Sequence, residues 1–242
     1  MYHSITIGDK NTWDDWHLIP TSRPSFNPPP VKTNYVNIPG GDGILDLSTA
    51  LSGRPVYGNR TGSWEFRVIR PEEVYSTTRY KGWTVIYSEI MVYLHGQQFD
   101  AILEDDPAYY YTGRFSVNEW KSNAHFSTIV IDYNVDPYKR DVAGSGDRWL
   151  WDPFNFETGV IRSYKRLTVR GSLTVDYIGD MVESTTIITC SAAGMKLTFN
   201  GKTYNLSRGA NNIKNIQFET GSNILVFTGN GTVSIESIGG RL

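Results

Sequence analysis

Apolar positions change their period twice between Trp83 and Arg114. Ile86, Ile90, Met91 and Leu94 recur at three- and four-residue spacing, which predicts a helix with one apolar face. Gly96 follows as its stop, because glycine accepts the left-handed conformation that ends helices. Phe99, Ala101 and Leu103 then alternate with polar neighbours, the period of a strand. Glu104-Asp105-Asp106-Pro107 makes a turn, since Pro107 fixes its own φ and biases Asp106 away from helix. Tyr109 to Phe115 returns as a second strand rich in aromatic β-formers and continues to Trp120. The pattern supports no other helix as well, so this one is expected to lay its apolar face across a sheet built from the flanking strands.

Upstream, Tyr2 to Ile7 alternates as a first strand, Gly8 to Trp13 reads as a turn, and Trp64 to Ile69 alternates as another strand. Between them, residues 20–60 read as a long connection. Pro20, Pro24, Pro28, Pro29, Pro30 and Pro39 exclude a central strand. Gly40-Gly41-Asp42-Gly43 is a further breaker, and Leu45 to Leu51 is expected to form a turn of helix. Loops of this length in compact domains are functional or disordered. Tyr35, Val36, Ile38, Ile44, Leu45 and Leu47 argue against disorder, because disordered loops are poorer in apolar groups. An apolar loop with no sheet of its own needs another surface to lie on.

Downstream, His125 to Tyr133 forms a strand ended by Asp136-Pro137, and residues 139–159 read as a junction. The remainder is all strand. Leu167, Val169, Leu173, Val175 and Tyr177 alternate through one long strand or two. Met195, Leu197 and Phe199 lead to Asn200-Gly201, the strongest short hairpin signal because both residues tolerate positive φ. Gly221-Ser222-Asn223 and Gly229-Asn230-Gly231 separate the last strands. Short strands so punctuated predict an antiparallel sandwich. Charge changes sign at the junction. Residues 1–159 hold 14 Lys/Arg against 20 Asp/Glu, and residues 160–242 hold 9 against 5. The expected division is 1–138, 139–159 and 160–242.

The 242-residue chain has a net charge of only −2, which argues against a nucleic-acid glove or a membrane-surface binder. Cys190 is the single cysteine and lies in a strand, so a buried inert thiol is expected and a disulfide within the chain is excluded. No basic-then-apolar leader and no membrane-spanning run occur, so the protein is expected to be made in a cytoplasm without membrane insertion. Asp14-Asp15 and Asp105-Asp106 sit where turns and caps use carboxylates, and neighbouring strand residues point to opposite faces. His3, His17, His95 and His125 are scattered without metal-ligand spacing. Asp9 to Asp14 hints at a calcium loop but lacks its glycine and its final glutamate. There is no nucleophile elbow and no phosphate loop. The Asn59, Asn205 and Asn230 sequons are expected to be chance matches, because no leader pattern is read at the N-terminus. Tyr109-Tyr110-Tyr111 reads as a half-buried strand, because no basic stripe accompanies it to bind nucleic acid. The expectation is no catalytic residue, no metal and no cofactor.

One resemblance covers nearly the whole chain. Met1-Tyr2-His3-Ser4-Ile5, Gly8 to Trp16, Pro39-Gly40, Asp42-Gly43, Leu45-Asp46-Leu47 and Asn59-Arg60 follow the order found in bacteriophage distal tail proteins. His95-Gly96, Asp105-Asp106-Pro107, Tyr110-Tyr111, Gly113-Arg114, Asp136 to Lys139, Trp151 to Asn155 and Gly239-Gly240 extend it. The chain is most similar to those of long non-contractile-tailed phages of Gram-positive hosts. That resemblance implies a mainly β, non-enzymatic virion protein of the tail tip. Its N-terminal domain would be a tail-tube-like β-sandwich with one helix. Six copies would close into a ring around the DNA channel. Its C-terminal domain would be a galectin-like antiparallel β-sandwich facing outward. Partners would be a homo-hexamer, the major tail tube protein, a tail-associated lysin or fibre protein, and receptor-binding or baseplate proteins. Some relatives carry an arm in the outer domain, for which the short turns here leave no room. The alternative is a carbohydrate-binding module for host cell-wall saccharide. All seven tryptophans lie between Trp13 and Trp151, however, which leaves the outer domain without the expected platform. Candidate subunit-interface residues are Tyr35, Ile38, Ile44, Leu45, Leu47, Tyr57, Arg60, Tyr110 and Arg114, on the apolar loop and on the edges of the 99–115 hairpin.

Overall fold

The computed structural model describes residues 2–68, 79–122, 127–142, 164–180, 182–183, 186–213, 216, 218–237 and 239–242. They form two compact units. Unit 1 is Met1–Asp106 with Tyr110–Pro137; unit 2 is Pro107–Tyr109 with Tyr138–Leu242. Each is a mainly β unit with its own core, built from curled antiparallel sheet.

Unit 1 begins with β1 (Ile5–Ile7), β2 (Lys10–Asn11) and β3 (Leu18–Pro20). Next come the short strands β4 (Val31–Lys32), β5 (Tyr35–Asn37), β6 (Ile44–Asp46) and β7 (Val56–Tyr57). After β8 (Arg60–Val68) lies α1 (Arg79–Leu94), the one helix among the described residues. The unit closes with β9 (Gln97–Leu103), β10 (Tyr109–Ser122) and β11 (Ser127–Val135). The main sheet runs β2–β1–β9–β10–β11–β8–β3, antiparallel at every step. The residues read as a turn from Gly8 to Trp13 thus include a strand, β2, after a tight turn in which Gly8 takes φ +64°.

The helix does what its spacing predicts. Ile90 and Leu94 are fully buried, Ile86 and Met91 pack beside them, and all join Ile5, Ile7, Phe66, Ala101, Phe115 and Ile129 in one core. Burying one such side chain contributes about 1.5–3 kcal/mol. The exit is fastened as well as turned. Gly96 takes φ +74°, its N–H donates to the Phe115 carbonyl at 2.8 Å, and its carbonyl accepts from Arg114 Nη1 at 2.9 Å. The helix is thereby tied to the strand that the following chain will pair with. His125 and Phe126, Ile69, and most of the 139–159 junction lie outside the described residues.

Unit 2 contains β12 (Lys139–Asp141), β13 (Leu167–Gly179), β14 (Val182–Glu183), β15 (Ile187–Cys190), β16 (Met195–Phe199) and β17 (Lys202–Leu206). It ends with β18 (Gly209–Asn212), β19 (Gly221–Glu236) and β20 (Gly239–Arg241). The predicted hairpin stands between β16 and β17, with Asn200 at φ +47° and Gly201 at φ +73°. Cys190 is buried, and burial pushes its thiol pKa up.

The Gly229-Asn230-Gly231 break is not a turn. β19 runs through it as one sixteen-residue strand paired along its length with β13. Gly171 of β13 lies opposite Gly229, and both hold positive φ, +76° and +118°. Asn230 Oδ1 accepts from the Gly171 N–H at 3.0 Å. At this kink β19 changes its second neighbour, from β16 as far as Thr228 to β15 from Val233. Glycines inside strands let a sheet bend where other residues resist. One bent ribbon therefore serves two flanking strand pairs, β16–β17 and β15–β18, and Val169, Tyr177, Ile188, Leu197, Leu225, Phe227 and Ile235 fill the space enclosed. A small sheet of β14, β20 and β12 completes the unit. Arg241 is ion-paired to Asp180 at 3.2 Å and lies 5.8 Å from the Tyr109 ring, whose other cation is Lys139 at 4.0 Å.

Candidate functional site

Residues 20–60 hold more structure than the prolines suggest. β4 pairs with β7, matching Val31 with Tyr57, and β5 pairs with β6 inside them, matching Val36 with Leu45. The result is a nested hairpin. The prolines flank its strands, and Leu45 stands in β6 where a helical turn was expected. The ladder continues past β5 and β6, because the Leu47 N–H donates to the Asn34 carbonyl at 2.9 Å. Asn34 N–H and Ser48 N–H are held by the Ser48 hydroxyl and the Asp46 carboxylate, both at 2.8 Å. The hydrogen bonds of Ser48 keep the exposed Asp46 carboxyl below its usual pKa.

Every residue from 30 to 47, and again from 49 to 56, is exposed. Strand alternation puts Val36 and Ile38 on the same ribbon face as Leu45 and Leu47. These four are 43, 47, 49 and 36% exposed. The other face is mixed, with Tyr35 opposite Asp46 and Ile44 opposite Asn37. A lone two-stranded ribbon is marginally stable in water. A contiguous aliphatic face of this kind marks an interaction surface.

The root of the hairpin is built differently. Phe26 is buried in a ring cluster, 4.0 Å from Tyr111 and 4.9 Å from both Trp64 and Tyr133. Trp64 Nε1 donates to the Ser25 carbonyl at 2.9 Å, and the Asn27 N–H donates to the Tyr133 hydroxyl at 2.9 Å. Arg60 is 5% exposed; its Nε donates to the Pro137 carbonyl at 2.8 Å and its Nη1 to the Asn27 carbonyl at 3.0 Å. Its guanidinium lies 5.5 Å over the Tyr111 ring. Burial pulls the Arg60 pKa down and raises that of Tyr133. Gly62 is required here, since a Cβ would overlap the Tyr133 hydroxyl and lie 2.6 Å from Asn27 Nδ2.

The structure thus divides the candidate residues. Tyr35, Ile38, Ile44, Leu45 and Leu47 come together on the nested hairpin as exposed groups, with Tyr57 half-buried at its base. Arg60, named beside them as an interface candidate, is a buried clamp within the chain's own fold, its side chain turned inward to two carbonyls. The 99–115 hairpin has no free edge to offer. β9 is bonded to β1 on one side and β10 on the other, and β10 is bonded to β11 from Gly113 onward. Tyr110 is half-buried there, and the exposed Arg114 is spent on the Gly96 carbonyl. No periodicity announces a buried arginine, so its role was invisible before the strands were assembled.

The remaining candidate chemistry resolves into structure. Asp15 accepts from the Asn11 N–H at 2.7 Å and from Lys10 Nζ at 2.9 Å, and the former bond is the larger cause of its lowered pKa. Asn11 Oδ1 accepts the N–H groups of Trp13 and Asp14. In the calcium-like stretch, Asn11 Oδ1 therefore serves its own turn, and Asp9 Oδ1 accepts from the Tyr93 hydroxyl of α1. Burial disfavours a charged Asp105, but hydrogen bonds from Arg23 Nε at 2.8 Å and His3 Nδ1 at 2.9 Å outweigh it and lower its pKa. Among the described residues no three potential ligands converge on a metal position. Tyr109 and Tyr111 are buried and Tyr110 half-buried, as a strand demands. In unit 2, Phe199, Phe218 and Phe227 are buried. The Tyr164 hydroxyl donates to the Asp176 carbonyl and accepts the Ile178 N–H. No aromatic ring among the described residues of unit 2 is exposed.

What these features define is a class: two mainly β units, the first with one helix among its described residues, lying on a seven-strand sheet, and an exposed nested hairpin. No family model matches the chain, and no curated protein sequence does. Among solved structures it is similar to the SPP1 Dit protein (gp 19.1), described as a paradigm of the hub adsorption apparatus in phages infecting Gram-positive bacteria. The likeness covers 100% of both chains, with a TM-score of 0.62 at 13% sequence identity. The chain has the fold of a phage distal tail protein from end to end.

Proposed function

We propose that this chain is a structural subunit of a phage tail tip, six copies of which close into a ring around the DNA channel. The ring joins the tail tube to the adhesion apparatus. Unit 1 forms the ring and unit 2 faces outward toward the tail-associated and baseplate proteins. The full-length likeness to a hub protein supplies the setting. The observation that carries the reading is the nested hairpin: Val36, Ile38, Leu45 and Leu47 form an aliphatic face in solvent, on a ribbon too thin to stand alone. Its root is locked by Phe26 and Arg60, so the ribbon is presented by a stiff base. Closed rings bury such a surface heterologously, each on the next subunit. The chain acts by assembly rather than catalysis.

Light scattering on the purified chain, with negative-stain images of the same sample, tests this. The expected result is a sixfold ring with a central opening. A chain that stays monomeric at high concentration, and is missing from the tip of the assembled tail, overturns it.

A further inference from the structure

β13 carries β19 along its whole length on one side, and among the described residues no strand pairs with its other edge. Such an edge offers a row of backbone donors and acceptors to any other strand. The run after the Gly171 kink is the part best suited to accept one. Ser172-Leu173-Thr174-Val175-Asp176-Tyr177-Ile178 alternates, is rich in β-branched and aromatic residues, and contains no proline, lysine or glycine. Its one charged side chain, Asp176, accepts from the Ser222 hydroxyl at 2.6 Å. The proline and lysine that blunt sheet edges elsewhere are missing from it.

A single side chain occupies the edge instead. The Tyr164 hydroxyl donates to the Asp176 carbonyl at 3.1 Å and accepts the Ile178 N–H at 3.0 Å. A residue of a neighbouring parallel strand bonds an edge in the same way, its N–H to one residue and its C=O to the residue two further on. These bonds also fix which way the strand faces. Asp176 turns its backbone groups away from β19, and by alternation so do Ser172 and Thr174. With the hydroxyl in place the open run ends at Thr174, short of the usual strand of about 5–6 residues; without it the run reaches Asp176. Tyr164 is held in position from both ends. Its ring lies 4.9 Å from that of the buried Tyr177, and its carbonyl accepts the Ile235 N–H at 2.9 Å. On the other side the run is limited by Gly171, where φ is +76° and a straight neighbour cannot follow.

We infer that Tyr164 is an edge plug: its hydroxyl fills the place of a neighbouring strand and keeps other copies of the chain from adding their own β13 to this edge. A second copy is the strand to be kept off, because every copy carries the same run and identical short segments of low charge pair readily. The inference concerns unit 2 alone and does not depend on the ring reading.

Tyr164→Phe in the full chain tests it, since the change removes one oxygen and keeps the ring on Tyr177. Its circular dichroism and melting should match the wild type at low concentration. Light scattering over time should show it growing past the wild-type size, faster at higher concentration. Two second changes at the exposed Thr174 should return it to that size. Thr174→Pro removes an outward N–H that β19 does not use, and Thr174→Lys puts a charge on the edge. A Tyr164→Phe chain that keeps the wild-type size at every concentration overturns the inference. Growth that neither second change reverses overturns it as well, because the hydroxyl would then hold the fold of unit 2 together and not guard its edge.

Discussion

Gly171 and Gly229 face one another across the β13–β19 ribbon, both at positive φ, where β19 leaves β16 and takes β15 as its neighbour. A Cβ added at Gly171 meets no neighbour within 4 Å, so the penalty there comes from the backbone conformation. Gly171→Val should therefore destabilise unit 2 by about 1–2 kcal/mol, the usual cost of holding an ordinary residue in the left-handed region. Hydrogen exchange of the β13 and β19 amides, compared with those of β11, is the suitable readout. Unchanged protection along β19 would remove the kink from the account of the sandwich.

Arg60 ties Asn27 to Pro137 through two carbonyls while buried. Arg60→Met keeps much of the packing but strands both acceptors. It should cost about 2–4 kcal/mol, the range for lost charged hydrogen bonds and unsatisfied buried groups. It should also let the hairpin root open. Limited proteolysis should then cut within residues 30–57 faster than in the wild type, with denaturant unfolding supplying the energy. Equal cutting rates would mean that the aromatic cluster alone holds the root.

Leu45 lies on the hairpin with 49% of its surface in solvent. Leu45→Asp should shift monomer stability by no more than about 0.5 kcal/mol, as exposed substitutions do. Assembly should fail, since the charge would be buried at the contact. Light scattering and a thermal melt on the same sample separate the two effects; a ring of normal size in the variant would exclude this face from the contact.

Asp105 carries a depressed pKa in the folded chain, held there by Arg23 and His3 against burial. A carboxyl lowered on folding contributes stability above its unfolded value, near 3.9, and loses it as pH falls through the folded value. Asp105→Asn should therefore weaken the chain at pH 7 and flatten its acid loss below about pH 4. Denaturant midpoints at pH 7, 5 and 3 for both chains give the comparison, and parallel curves would rule out a contribution from Asp105.

Burial raises the Cys190 thiol pKa and shields the sulfur. An aromatic disulfide reagent at pH 8 should leave the folded chain unmodified over hours and titrate one thiol per chain on unfolding. Prompt reaction of the native chain would show that β15 opens readily.

Much of this protein was decided locally. The spacing of Ile86, Ile90, Met91 and Leu94 determines a one-sided helix, Gly96 its end, and Asn200-Gly201 a tight hairpin, because each depends on neighbours a few residues away. The alternation of Phe99 to Leu103 and Leu167 to Tyr177 likewise determines strands, as period 2 allows nothing else. Tertiary structure decided what depends on distant partners. Val31 meets Tyr57 across twenty-five intervening residues, so the nested hairpin left only prolines and scattered apolar residues to read. Gly229-Asn230-Gly231 has the composition of a turn, yet β13 holds it in an unbroken bent strand. Arg60 and the 99–115 hairpin carry surface chemistry by residue type, but their exposure was set by Asn27, Pro137, β1 and β11 closing over them. Whether a residue faces water is a property of the packed chain, and no window of sequence holds that information.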